Sequence, residues 1–169
     1  MGFSKLVVID NKSHYKNPGA VFRLINYILA SGETYDGFKP KVRYCASNYV
    51  DISNPREAAR QMKAIKKYFK KTNERQMYHY VLSFDGTVKD PKKVYEIGLE
   101  IMDEFFDEYQ TVFAVHEDTD NLHIHFGFNS VSYVTGKKWC LKNKEFERFK
   151  MEIECMANSH VDDIMDLIK

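Results

Sequence analysis

Hydrophobic positions recur along this chain with two different periods, and each change of period marks an element. Residues 5–9 (KLVVI) form a short apolar, β-branched run, which predicts a strand. Asn17-Pro18 then opens a helix running to about Ala30, with Val21, Leu24, Ile25, Ile28 and Leu29 at helical spacing as its buried stripe. Ser31-Gly32 ends it. Residues 31–53 read as irregular, with one short strand near Val42–Cys45. Asn54-Pro55 starts a second helix, to about Lys71, with a capping side chain followed by a proline whose missing N–H costs nothing in the first turn.

Strict alternation returns at residues 77–84 (MYHYVLSF). Tyr78, Tyr80, Leu82 and Phe84 point one way, His79, Val81 and Ser83 the other, as expected of a central strand. Asp90-Pro91 begins a long helix to about Tyr109, with Val94, Ile97, Ile101 and Phe105 facing inward. Residues 111–116 and 122–132 are two further strands joined by a short polar link (EDTDN) of hairpin type. A Thr-Gly turn lies within residues 133–138, and a last helix spans about Lys142 to Ile168. The order, roughly β-α-α-β-α-β-β-α, predicts an α+β fold. Its core is an antiparallel sheet of about five strands with helices packed on it, ferredoxin-like in layout.

Composition adds bounds. At 169 residues, with 44% hydrophobic and 14% aromatic residues, the chain suits one domain with one packed core. No apolar run reaches membrane-spanning length, and the first residues do not form a secretory signal. Cys45, Cys140 and Cys155 show no paired spacing and read as reduced thiols of a cytoplasmic protein.

Charge changes the picture only when the chain is divided. The net charge is +1, yet residues 1–75 carry 15 Lys+Arg against 6 Asp+Glu, and residues 76–169 carry 10 against 18. The basic half interleaves aromatics with cations. In the segment around Lys39, Lys41 and Arg43, that mixture suits a phosphate backbone and a few unpaired bases. A solvated lysine face is the plainer account of the run from Arg60 to Lys71.

The chemistry concentrates in residues 116–126, HEDTDNLHIHF. His123 and His125 are two apart on a strand and leave on one face, which Gly127 and Asn129 continue. Leu122, Ile124, Phe126 and Phe128 form the opposite, core face. A hairpin would bring His116 beside them. Three imidazoles on adjacent strands can hold a metal while leaving positions open, as a catalytic metal requires. A single strand histidine is most often only a satisfied polar residue; three in this arrangement are harder to explain so. Gly127 would give a phosphate room to approach. Asp118, two residues from His116, is a candidate to accept a ring N–H, with Asp120 and Glu117 as alternatives. Asp120 and Asn121 equally suit turn chemistry. Three nitrogen donors favour Mn, Co, Ni or Zn over Mg, although cellular supply makes Mg or Mn a working ion.

The motif HEDTDNLHIHF, followed by Asn129-Ser130-Val131 and Gly136-Lys137, resembles the third motif of conjugative and mobilisation relaxases of the MobA/nickase type. These belong to the wider endonuclease group with a His-hydrophobe-His motif. Asn26-Tyr27-Ile28-Leu29 resembles the first motif of that family, and residues 78–84 the second, a strand closing on Ser83. The resemblance covers about residues 20–138 and implies that the chain is a single relaxase catalytic domain over 1–169. It implies a metal-dependent transesterification at a transfer origin, in which Tyr27 attacks a phosphodiester of single-stranded DNA and becomes linked to the 5′ phosphate. Ser83 would touch the DNA. Accessory mobilisation proteins and a type IV secretion system are the implied partners. Tyr35 and then Tyr15 are the rival nucleophiles. A rolling-circle replication initiator would use a Tyr after the histidine motif, where only Tyr133 is available. A non-catalytic DNA-binding module and a metal hydrolase of another phosphoester are the remaining readings.

Overall fold

The computed structural model describes residues 3–10, 15–30, 42–117 and 119–168. The elements are β1 (Ser4–Ile9), α1 (Ala20–Leu29), β2 (Val42–Asn48), α2 (Pro55–Tyr68), β3 (Met77–Phe84), α3 (Pro91–Phe105), β4 (Thr111–His116), β5 (His123–Asn129) and α4 (Asn143–Ile168). The five strands form one sheet in the order β1-β3-β5-β4-β2, and every neighbouring pair is antiparallel. The α+β expectation therefore holds.

Local chemistry sets the boundaries. The side chains of Asn54 and Asp90 each accept a backbone N–H two residues on, at 3.0 Å, with Pro55 and Pro91 in the first turns of α2 and α3. At α1 the expected start slips by two residues. Asn17 Oδ1 accepts from the Gly19 N–H at 2.8 Å, so Pro18 lies in a turn and the helix begins at Ala20. Ala30 closes it in a left-handed conformation (φ 50°). The expected Ser31-Gly32 terminator lies outside the described residues. Helix α3 stops at Phe105, short of Tyr109, because Phe106 leaves helical geometry with its ring 4.7 Å from that of Phe128. Strand β2 is longer than predicted. It lies at the sheet edge, where half-exposure blurs its alternation. β5 stops at Asn129 rather than residue 132, and only the bridge of Val131 to Lys138 continues the pairing.

The sheet separates two cores. On one face, Tyr80, Leu82, Phe84, Phe113, Val115, Ile124, Phe126 and Phe128 pack against α3 and α4. On the other, Met77, Val112 and Ala114 meet α1 and α2. Close approach requires a glycine in each layer. A Cβ on Gly98 of α3 would lie 2.6 Å from the Phe113 ring, and one on Gly127 of β5 would lie 2.6 Å from Cδ1 of Ile28 in α1. The edge strand β1 is shielded by α4, whose Glu154 and Asn158 side chains accept the N–H groups of Leu6 and Phe3. Among the described residues no helix is long and apolar enough to cross a membrane.

Candidate metal centre

Antiparallel register brings the histidines together. His116 at the end of β4 pairs directly with His123 at the start of β5, and Ala114 pairs with His125. Both imidazoles of β5 leave on the α1 side, and one potential ligand nitrogen from each of His116, His123 and His125 lies within 4.8 Å of the others. Metal–nitrogen bonds of about 2.1 Å place the nitrogens of a shared ion roughly 3–3.5 Å apart, so small side-chain rotations close the set. His116 is fully buried, His125 is 6% exposed, and His123 is half-buried at the rim.

The hydrogen bonds fit a set of metal ligands. His116 Nε2 lies 2.8 Å from the Ile28 carbonyl, and His123 Nδ1 lies 3.0 Å from the Asn121 carbonyl. A carbonyl can only accept, so these nitrogens carry the ring protons. The lone pairs are left on Nδ1 of His116 and Nε2 of His123. His125 Nδ1 is 2.8 Å from His79 Nε2. Burial, reinforced by the neighbouring His116, holds His79 down to about 4. Burial, with His116, His79 and His123 around it, pushes His125 lower still. Neutral imidazoles are the form that binds a cation.

Tyr27 lies across this cluster. Its ring centroid is 5.4 Å from that of His125, 5.9 Å from His116 and 6.1 Å from His79. Its neighbours on α1 enter the core, yet Tyr27 itself is 38% exposed. The histidines and Tyr27 expected from the sequence are thus adjacent. A cleft of about 360 Å³ opens beside them, bordered by Ile9, Tyr15, Arg23, Tyr27, His79 and His125.

The other expected residues divide. Ser83 pairs with His123 on β3 and shares the site face. Asp118, Lys39, Lys41 and Tyr35 lie outside the described residues, and of Arg43 only the backbone, in β2, is described. Asp120 and Asn121 lie in the exposed link, where the Asn121 carbonyl accepts from both His123 and the Thr119 hydroxyl at 2.9 Å. The role foreseen for Gly127 is corrected. Its missing side chain makes room for Ile28 and Leu24 of α1, not for a phosphate. Alternation along residues 77–84 puts His79 on the Ser83 face, where the sequence allows it either to border the site or to be an ordinary buried strand residue, and the β3–β5 register sets it against His125.

The three imidazoles on the central strands of the sheet could hold a metal ion, and the partly exposed phenol of Tyr27 lies beside them. The family model described as relaxase, MobA/VirD2-like, nuclease domain matches residues 27–160, and the chain belongs to that family. Two Staphylococcus aureus proteins named Protein rlx are similar. One is 30% identical over 133 residues (79% of this chain, 37% of its own length), and the other is 24% identical over 138 residues (82% and 38%). Protein MobA of Acidithiobacillus ferrooxidans is 42% identical over 55 residues, 31% of this chain and 13% of its own. The chain thus spans well under half the length of these curated relatives. The fold is shared with the MobM relaxase domain, solved Mn-bound with plasmid oriT DNA. That match has TM-score 0.62 and 12% identity, covering 94% of this chain and 86% of the other. It is shared equally with a chain solved for the molecular basis of vancomycin resistance transfer in Staphylococcus aureus (TM-score 0.61, 13% identity, 95% and 91% covered).

Proposed function

We propose that residues 1–169 act as a nicking domain that cuts one strand of DNA at a transfer origin by transesterification, with Tyr27 as nucleophile, in the mobilisation of a plasmid or integrative element. The observation that carries this reading is the position of Tyr27, within 5.4–6.1 Å of the rings of His125, His116 and His79, ring centre to ring centre, and open to solvent.

The Tyr27 Oη attacks phosphorus. An Oη–P bond forms, the bond to the 3′ oxygen breaks, and the products are a 5′-phosphotyrosine and a free 3′ hydroxyl. The phosphodiester energy is retained in the new ester, so the step reverses with the same atoms and the strand can be rejoined. A divalent ion held by His116, His123 and His125, with Mn or Mg as the working ion, would supply Lewis-acid stabilisation of the charge that builds on the phosphate oxygens. His116, through the Ile28 carbonyl, ties the cluster to the helix that carries Tyr27. Ser83, beside His123, would donate its hydroxyl to a phosphate next to the cut. From the sequence alone, Asp118 is proposed to hold the His116 side of the site, and Lys39, Lys41 and Arg43 to meet the DNA backbone. The implied setting is the cytoplasm, with accessory mobilisation proteins and a type IV secretion system as partners.

The test is to incubate the chain with pooled single-stranded oligonucleotides and Mn²⁺ and look for a covalent protein–DNA band. Tyr27→Phe should abolish the band, and mass spectrometry of the parent should find the nucleotide on Tyr27. A Tyr27→Phe protein that still forms the adduct refutes the assignment. Cleavage without any adduct would select a hydrolytic phosphodiesterase instead.

A further inference from the structure

Each histidine of the cluster has an outer hydrogen-bond partner, but the three partners are not alike. His116 and His123 use backbone carbonyls, which can only accept and so settle the tautomer of their rings. His125 is held by a side chain that can either donate or accept. Its Nδ1 lies 2.8 Å from His79 Nε2, and His79 Nδ1 lies 3.1 Å from the Tyr15 hydroxyl. His79 and Tyr15 are both buried, 4% and 7% exposed.

Such a row has two proton arrangements. In one, Tyr15 donates to His79 Nδ1, His79 Nε2–H donates to His125 Nδ1, and the remaining proton of His125 occupies Nε2. In the other, His125 Nδ1–H donates to His79 Nε2, and His79 Nδ1–H donates to the Tyr15 oxygen. Only the second leaves a lone pair on His125 Nε2, the nitrogen directed away from His79. We infer that His79 and Tyr15 are positioning residues, whose hydrogen-bonded row with His125 fixes that ring in its metal-binding tautomer and orientation.

The backbone at Tyr15 supports this reading independently. Tyr15 has φ 52°, in the left-handed region where a bulky residue is strained. The chain holds it there with a hydrogen bond from the Gln76 N–H to the Tyr15 carbonyl at 2.9 Å. Gln76 is itself buried, and its side chain donates to the carbonyls of Thr72 and Glu74 at 2.9 Å. The loop leading into β3 thus fixes the residue whose hydroxyl meets His79 Nδ1. In most metal sites the outer partner of a ligand histidine is a carboxylate, a carbonyl or water, and its loss lowers metal affinity 10–100-fold. Here an imidazole and a phenol divide that task.

The inference rests on the three histidines holding a metal, and the experiment separates the two claims. Co²⁺ is titrated into the whole chain, with affinity read by calorimetry and coordination by visible absorption. His79→Leu, which fills the space without an acceptor, should bind Co²⁺ 10–100-fold more weakly with an altered spectrum. His79→Gln, whose amide oxygen can accept from His125, should recover most of the affinity. Tyr15→Phe should fall between them. Nitrogen-15 NMR of the Zn²⁺-loaded parent should show His79 protonated at Nδ1. A His79→Leu protein that binds Co²⁺ like the parent overturns the inference, as does a His79 protonated at Nε2 in the loaded parent. Should His79→Leu fail to fold, Tyr15→Phe and the NMR assignment still decide. A parent that binds no Co²⁺ and is indistinguishable from His123→Ala defeats the metal reading itself, and this inference with it.

Discussion

His116 Nε2–H donates to the carbonyl of Ile28 at 2.8 Å, joining the buried end of β4 to the last turn of α1 one residue after Tyr27. The proposed ligand and the helix bearing the proposed nucleophile are therefore one mechanical unit. His123, by contrast, sits at the rim, and its Nδ1 bonds to the Asn121 carbonyl of its own link. His116→Ala should cost both metal binding and about 1–3 kcal/mol of stability, since it leaves a carbonyl without that donor. His123→Ala should lose metal affinity with a stability change within about 0.5 kcal/mol. Calorimetric metal titration and denaturant unfolding of the two apo variants make the comparison. Equal stability losses would count against the coupling.

The same Ile28 is the neighbour of Gly127, whose absent Cβ leaves space for the Ile28 Cδ1. Gly127→Ala should destabilise the chain by about 1–3 kcal/mol through overpacking. Because α1 must then move off the sheet, adduct formation should fall more than stability alone explains. Denaturant unfolding and single-turnover nicking at a temperature where the variant is fully folded check this. Unchanged nicking would show that α1 has slack.

Lys66 on α2 is only 1% exposed, and its ammonium has no hydrogen-bond partner among the described residues. Burial first, then the nearby Lys63 and Lys138, bring its pKa down to about 7 from 10.5. Between those values the unfolded chain binds more protons than the folded one, so stability should rise with pH from about 7 to 10.5. Lys66→Met should remove that slope and stabilise the chain by about 2–4 kcal/mol at pH 7, with less gain at pH 9. Urea unfolding of both proteins at pH 6, 7 and 9 measures it. A destabilised Lys66→Met would mean that the ammonium is held by a group of opposite charge.

Metal removal gives a further expectation. Chelation should abolish adduct formation, and Mn²⁺ should restore it. A nitrogen-only donor set predicts tighter binding of Co²⁺, Ni²⁺ or Zn²⁺ than of Mg²⁺. Ion titrations of binding and of nicking, read separately, check both statements. Full activity in excess chelator would sink the metal reading.

The parts of this fold legible in the sequence are those governed by local periods. Residues 77–84 and 111–116 alternate or run apolar without interruption, and the strands fall there to the residue. Asn54-Pro55 and Asp90-Pro91 each combine a cap with a fixed φ, and both helix starts are as read. The trio of histidines was legible because two share a strand face and the third is one hairpin away. What depended on non-local pairing was hidden. The neighbours of β3 are β1 and β5, far along the chain, so neither the sheet order nor the meeting of His79 with His125 follows from spacing. Gly127 looked like clearance for a ligand because nothing local says that α1 folds back onto it. The start of α1 was misplaced because the Asn17 side chain satisfied Gly19 within a turn, a choice that Asn and Pro allow equally well.

The strand that carries His123 and His125 also carries Ile124, Phe126 and Phe128 into the opposite core. One reading frame therefore serves both faces. Deleting a single residue within β5 would exchange imidazoles for phenyl rings on either side at once. Such a lesion disturbs the core and the site together, whereas substitution of one histidine can remove the chemistry and leave the spacing of this strand intact.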